Sequence, residues 1–284
     1  MVTRFSVLVF TILAALCCST GMIKRISKAG IDIDVTLTYG YYAAAHGGDG
    51  FQNAGAYIMR PQPDDQVFHP LPVGNASMTV YQSDVVTEIH ATFGWVHQIT
   101  RLFEGKEYIE VEYTVGPIPI VEDGIGKEVV SRYTTSVKNT SGEFFTDSNG
   151  REFVQRRRND LGVLGYESGL TLTEPVAQNY FPVGTAIFLE NEKNSFGVLV
   201  DRSQGGSSLA DGTLELLIQR RLLYDDARGV GEPLNETDSG ITPDPPYGKR
   251  FSGGGLLNCW LGLAGFAEVT DTLMLTNLNR TRQH

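Results

Sequence analysis

The sequence predicts an all-β protein, built as a large antiparallel β-sandwich. Three observations carry that expectation. Apolar residues recur with a period of two along several segments, which puts alternate side chains on one buried face. Turn signals rich in Gly, Asn and Asp separate those segments at short intervals. No stretch holds a helical apolar period between capping residues for long enough to make a buried amphipathic helix. The chain has 284 residues with a hydrophobic fraction of 41%, enough to bury a substantial core.

Taken in order, the first run is Val85-Val86 to Phe93. Next, Ile109, Val111, Tyr113 and Val115 alternate with Glu110, Glu112 and Thr114, the pattern of a strand with one wet face. Val129, Ser131, Tyr133, Thr135 and Val137 repeat it. Thr185 to Leu189, Phe196 to Val200 and Leu214 to Ile218 are further short runs. Glu104-Gly105, Gly116-Pro117, Ser141-Gly142, Asn149-Gly150, Asn191 to Ser195 and Asp211-Gly212 mark the turns. Gly205-Gly206-Ser207-Ser208 lacks the spacing of a phosphate-binding loop and reads as a tight turn. Asn235 to Gly255 reads as a loop or linker. Residues 241–284 are expected to be linker plus an incomplete β element, with apolar runs at Leu256 to Phe266 and Leu273 to Leu275.

A net charge of −10 and a pI near 5.0 argue against nucleic acid, because no basic surface is present to displace phosphate counterions. Arg156-Arg157-Arg158 reads as a solvated or ion-paired strand end. Residues 1–19 read as a signal peptide: Arg4, then an apolar stretch from Phe5 to Leu16, then Cys17, Cys18 and Ser19. Such a stretch makes about 18 Å of helix, short of the roughly 30 Å a bilayer core requires. No other segment is long enough to span a membrane. Loss of the leader would leave Cys259 without a partner cysteine. Asn75, Asn139, Asn235 and Asn279 each open an Asn-x-Ser/Thr sequon, which fits a secretory route, lysosomal or extracellular.

Acid–base hydrolysis by paired carboxylates needs two of them at a set separation. Asp147, Glu152, Asp201, Asp211, Glu215, Asp225 and Asp226 are available, and each reads on its own as solvated or turn-capping, with Asp147 an Asx-turn residue. The histidines His46, His69, His90, His97 and His284 are scattered. His90 and His97 would face opposite sides of a straight strand. No metal site and no catalytic residue is therefore expected within this chain.

Four segments carry a resemblance. They are Asp201-Arg202-Ser203-Gln204-Gly205-Gly206-Ser207-Ser208-Leu209, continuing to Asp225-Asp226-Ala227-Arg228-Gly229; Gly55-Ala56-Tyr57-Ile58-Met59-Arg60-Pro61; Phe145-Thr146-Asp147-Ser148-Asn149-Gly150-Arg151; and Asn179-Tyr180-Phe181-Pro182-Val183. Together they resemble the C-terminal β-region of the family 38 glycoside hydrolases, with the lysosomal α-mannosidases closer, over residues 20–240. The resemblance implies a supersandwich of the galactose-mutarotase type. It implies an enzyme that hydrolyses terminal α-mannosides, with zinc, in mannose and glycoprotein-glycan catabolism. In that family the nucleophile and zinc ligands lie in an upstream α/β domain absent from this sequence, so the chain is expected to be inactive alone and to partner a missing catalytic domain. The alternative is a secreted, non-catalytic carbohydrate-binding module. Ser19-Thr20-Gly21-Met22-Ile23 is similar to the family's first strand and turn, which leaves open that the opening apolar run is foreign to the domain. Two substrate-binding residues carry over by motif: Tyr57 from Gly-Ala-Tyr and Arg228 from Asp-Asp-x-Arg-Gly. Both are expected at one edge of the sandwich, toward mannose-containing glycans, with Arg228 able to fold back on Asp225 or Asp226.

Overall fold

The computed structural model describes residues 26–28, 31–47, 52–72, 78–106, 108–160, 173–235 and 257–266. The expected leader at 1–19, the sequons at Asn75 and Asn279, His284 and most of the 235–255 linker lie outside them. The strands are β1 (Ile26–Lys28), β2 (Ile31–Ile33), β3 (Val35–Ala43), β4 (His69–Pro70), β5 (Thr79–Gln82), β6 (Val86–Phe93), β7 (Val96–Phe103), β8 (Tyr108–Val115) and β9 (Lys127–Thr135). Then follow β10 (Glu143–Asp147), β11 (Phe153–Arg157), β12 (Phe181–Val183), β13 (Ala186–Glu190), β14 (Ser195–Val200), β15 (Gln204–Ser207), β16 (Thr213–Arg221) and β17 (Leu257–Phe266). Every strand-like run read from the sequence within the described residues is a strand, and their pairing is antiparallel, in line with the all-β expectation; the run Leu273 to Leu275 lies outside the described residues.

Two large sheets form. One has nine strands in the order β11-β10-β13-β14-β17-β8-β7-β6-β5, the other six in the order β12-β15-β16-β9-β3-β4. Their inner faces share one core. Val35, Leu37, Tyr39, Tyr133, Leu214 and Leu216 come from the six-stranded sheet; Val111, Tyr113, Val115, Ile187, Phe196 and Val198 come from the nine-stranded sheet. Tyr39 meets Tyr113 edge-on at 5.8 Å, a favoured aromatic geometry. The Tyr39 hydroxyl donates to Gln98 Oε1 at 2.8 Å, so the phenol is not left unpaired in the core.

Three local features differ from the sequence reading. Gly205 and Gly206 lie inside β15, paired with β16 and β12, and not in a tight turn. A Cβ on Gly206 would fall 2.6 Å from Val183 Cγ2, so the glycine serves close packing of neighbouring strands. His90 and His97 share one face, because the chain reverses between β6 and β7; His97 sits opposite Thr92, two residues along from His90. Residues 257–266, expected to begin an uncompleted element, are placed as β17 between β14 and β8 in the nine-stranded sheet.

The outer face of the six-stranded sheet carries buried charge. Glu215 accepts from Arg132 Nε at 2.6 Å, Tyr42 Oη at 3.0 Å and Tyr180 Oη at 2.7 Å. Phe68 covers the Arg132 guanidinium at 3.6 Å. Burial, with the Glu215 charge next, pushes the Tyr42 and Tyr180 phenols well above their usual range. Glu215 is therefore the centre of a buried network and not the solvated carboxylate expected. Beside it, Arg220 pairs with Glu128, with Nε to Oε2 at 2.9 Å. A bulge between Leu217 and Gln219 shifts the β16 register so that Arg220, in place of Gln219, stands opposite Glu128. The bulge thus creates the ion pair and re-aims the end of β16, a common use of bulges beside functional sites.

Candidate functional site

Ala43, Lys127 and Arg221 lie side by side at one end of β3, β9 and β16. The segments at this end, 44–47, 52–66, 116–126 and 222–235, form one pole of the sandwich. Several bonds tie them together. Ala44 donates its amide to Gly126 O at 2.8 Å, and Leu222 donates to Leu234 O at 3.0 Å. Arg221 Nη1 donates to Ile118 O at 2.6 Å. The buried Lys127 ammonium holds Pro119 O at 2.6 Å and Asp123 at 2.7 Å.

Tyr57 and Arg228 both stand on this pole. The Tyr57 amide donates to Asp226 Oδ2 at 2.7 Å, and the Arg228 amide donates to Asp226 Oδ1 at 3.1 Å. Residues 171 apart in sequence are thereby anchored to one carboxylate. The Tyr57 side chain is 69% exposed, and Arg228 is also exposed. Arg228 does not fold back as expected: among the described residues its guanidinium forms no ion pair with Asp225 or Asp226. Both Asp226 oxygens are occupied by amides, and Asp225 Oδ2 accepts the Ala227 amide at 2.9 Å.

More bonds fix the two loops. Gln52 Nε2 donates to Asp226 O, Asn53 Nδ2 to Asp225 O at 3.0 Å, and Arg220 Nη2 to Ile58 O at 2.9 Å. Arg60 pairs with Glu174 through Nε at 2.7 Å and donates from Nη1 to Gln52 O at 2.9 Å. Gly55 explains its own motif: a Cβ there would lie 2.4 Å from Asp226 Cβ. Replacing Gly55 by Ala is expected to force the loops apart and to cost about 2 kcal/mol, in the range of overpacked sites. A urea titration checks this, and an unchanged midpoint would contradict it.

The other carboxylates and histidines are dispersed. Asp147 is buried and accepts Thr185 N and Oγ1, each at 2.7 Å; the Asx turn belongs to Asn149, which accepts the Arg151 amide at 2.9 Å. Glu152 and Asp201 are exposed. Asp211 caps the Asn139-Thr140 turn, accepting both amides and the Thr140 hydroxyl. Burial would raise the Asp211 carboxyl, but these donors win and hold it below its usual range. His69 contacts Asp65, His90 contacts Glu88, His97 contacts Thr92, and His46 stacks on Tyr224. Among the described residues no three His, Cys, Asp or Glu side chains gather as a metal-binding group. The pole offers a flat phenol, a guanidinium and a rigid backbone, the chemistry of recognition.

The chain matches the glycosyl hydrolases family 38 C-terminal domain over residues 13–228 and belongs to that family. It is 45% identical over 228 residues to the lysosomal alpha-mannosidase of Mus musculus, covering 78% of this chain and 21% of the relative. The lysosomal alpha-mannosidase of Homo sapiens is 45% identical over 226 residues, 78% of this chain and 21% of the relative. The alpha-mannosidase of Canavalia ensiformis is 43% identical over 222 residues, 76% and 22% respectively. The chain thus spans only about a fifth of the length of these relatives.

Proposed function

We propose that this β-sandwich is the part of an α-mannosidase that lends a sugar-contacting rim to the hydrolysis of terminal α-mannosides in glycoprotein-glycan breakdown. The observation that carries the reading is the joint anchoring of Tyr57 and Arg228 on Asp226. Tyr57 offers a stacking face and a hydroxyl, and Arg228 offers up to five donors to sugar hydroxyls. A catalytic α/β region supplies the nucleophile, the general acid and the zinc. The names of the lysosomal relatives support a secretory, lysosomal or extracellular setting. Asn139 and Asn235 are exposed and suited to carry glycans. A second reading, a non-catalytic carbohydrate-binding module, is favoured by one fact: Gln52, Asn53 and Asp226 tie the two rim loops directly to each other.

The test joins the chain to a family 38 catalytic region and follows hydrolysis of an aryl α-mannoside. Tyr57→Ala and Arg228→Ala are each expected to lower kcat/KM about ten- to a hundredfold, the effect of losing one charged or stacking contact. Because both side chains are exposed, neither should change folding stability by more than about 0.5 kcal/mol. The 284-residue chain by itself should give no turnover. Full activity in both variants would reject the rim assignment, and turnover by the chain alone would support a nucleophile within it.

A further inference from the structure

We propose that Asp226 is the positioning residue of this rim: one buried carboxylate clasps the backbone amides of Tyr57 and Arg228 and thereby fixes how far apart the two side chains stand. The proposal rests on the rim reading above and extends it to a residue that meets no sugar itself.

Asp226 is 0% exposed. A carboxylate so buried needs a positive partner or several donors. Here its two oxygens accept from backbone amides, one from each loop. A lysine or arginine partner would satisfy the charge through a flexible side chain. Two amides satisfy it only when both loops have a set position, so the charge itself enforces the geometry. The surroundings leave little slack. Gly55 brings its backbone against the Asp226 side chain. The carbonyls of Asp225 and Asp226 are held from the opposite loop by Asn53 and Gln52. Ala227, between the clasp and Arg228, adopts a left-handed φ of 55°. A non-glycine residue holds that conformation only where its neighbours over-determine it. With Asp226 spent on amides, the Arg228 guanidinium stays free to reach outward.

Asparagine at 226 has nearly the same shape but only one acceptor oxygen. Its NH₂ would confront one of the two amides, so Asp226→Asn opens one hand of the clasp. The experiment is a ¹H–¹⁵N titration of the 284-residue chain with methyl α-mannoside. In the wild type the Tyr57 and Arg228 amides should exchange slowly and shift saturably with sugar. In Asp226→Asn at least one of these amides should lose its exchange protection, and the sugar should bind about tenfold more weakly. Amides of β3, β9 and β16 should keep their shifts, which separates positioning from unfolding. In a Tyr57→Ala background the further loss caused by Asp226→Asn should be smaller than in the wild type, because residues acting through one another are not additive. Sugar affinity unchanged in Asp226→Asn, or losses that simply add, would overturn the clasp. Absence of any sugar-induced shift at Tyr57 and Arg228 in the wild type would overturn the rim reading, and the positioning role with it.

Discussion

Replacing Arg220 by alanine is expected to destabilise the fold by about 3–5 kcal/mol, the usual cost of leaving a buried charge without its partner. Glu128 is 0% exposed, and Arg220 supplies its ion pair from the next strand. The loss should depend on pH. Burial pushes the Glu128 carboxyl up from its ordinary value of 4.5, while Arg220 pulls it down without cancelling the rise. A carboxyl raised in the folded state binds its proton more tightly there than in the unfolded chain. Its ionisation therefore costs stability as pH rises through 4.5 and on through the raised value, above which the cost is constant. Without Arg220 the upward pull is unopposed. The deficit of Arg220→Ala should accordingly be smallest below the raised folded-state value of the wild-type Glu128 carboxyl and widen as pH rises through it. Urea titrations of both proteins across this window measure it. A deficit independent of pH would mean that Glu128 is not what suffers. The same variant also releases the Ile58 carbonyl, so the turn bearing Tyr57 should loosen.

Asp147→Ala should cost about 2–4 kcal/mol, whereas Asn149→Ala should cost about 1 kcal/mol. The contrast follows from what each side chain holds. Asp147 accepts the amide and the hydroxyl of Thr185, tying the β10–β11 hairpin to the start of β13. Removing it leaves two donors unsatisfied beside the core, and bonds to a charged group are worth roughly 1.5–3 kcal/mol each. Asn149 organises only its own exposed turn, through the amides of Arg151 and Glu152. Thermal or urea unfolding of the two variants decides the matter. Equal losses would restore the Asx-turn reading of Asp147.

These residues also show what could be read from the sequence. Alternation is legible where a strand has one apolar and one polar face, as in β8. It fails in β7, where the inward positions Gln98 and Thr100 are polar but buried, with the Gln98 amide donating to Thr100 Oγ1 at 2.7 Å. It fails in β15 because Gly205 and Gly206 are set by packing against neighbouring strands, and glycine punctuates turns more often than strands. Tyr57 and Arg228, the residues proposed for the rim, stand out through their motifs. Asp226 does not, because a carboxylate beside Gly and Arg reads as turn chemistry until two distant amides are seen to meet on it. The available signal was the pair of motifs themselves: a glycine two residues before Tyr57 and an aspartate two before Arg228, each explained by the other's loop. Glu215 and Glu128 were hidden for a similar reason. Their arginine partners come from adjacent strands, and for Glu128 only after a bulge.

Tyr57 and Arg228 are proposed to form one mannoside-contacting rim on this sandwich. Saturation-transfer NMR on the 284-residue chain with methyl α-mannoside tests it most directly. The rim predicts weak, millimolar binding, worth about 4 kcal/mol, lost in the Tyr57→Ala/Arg228→Ala double variant while the fold is retained. Binding that survives in that variant, or no binding by the wild-type chain at tens of millimolar sugar, would contradict it.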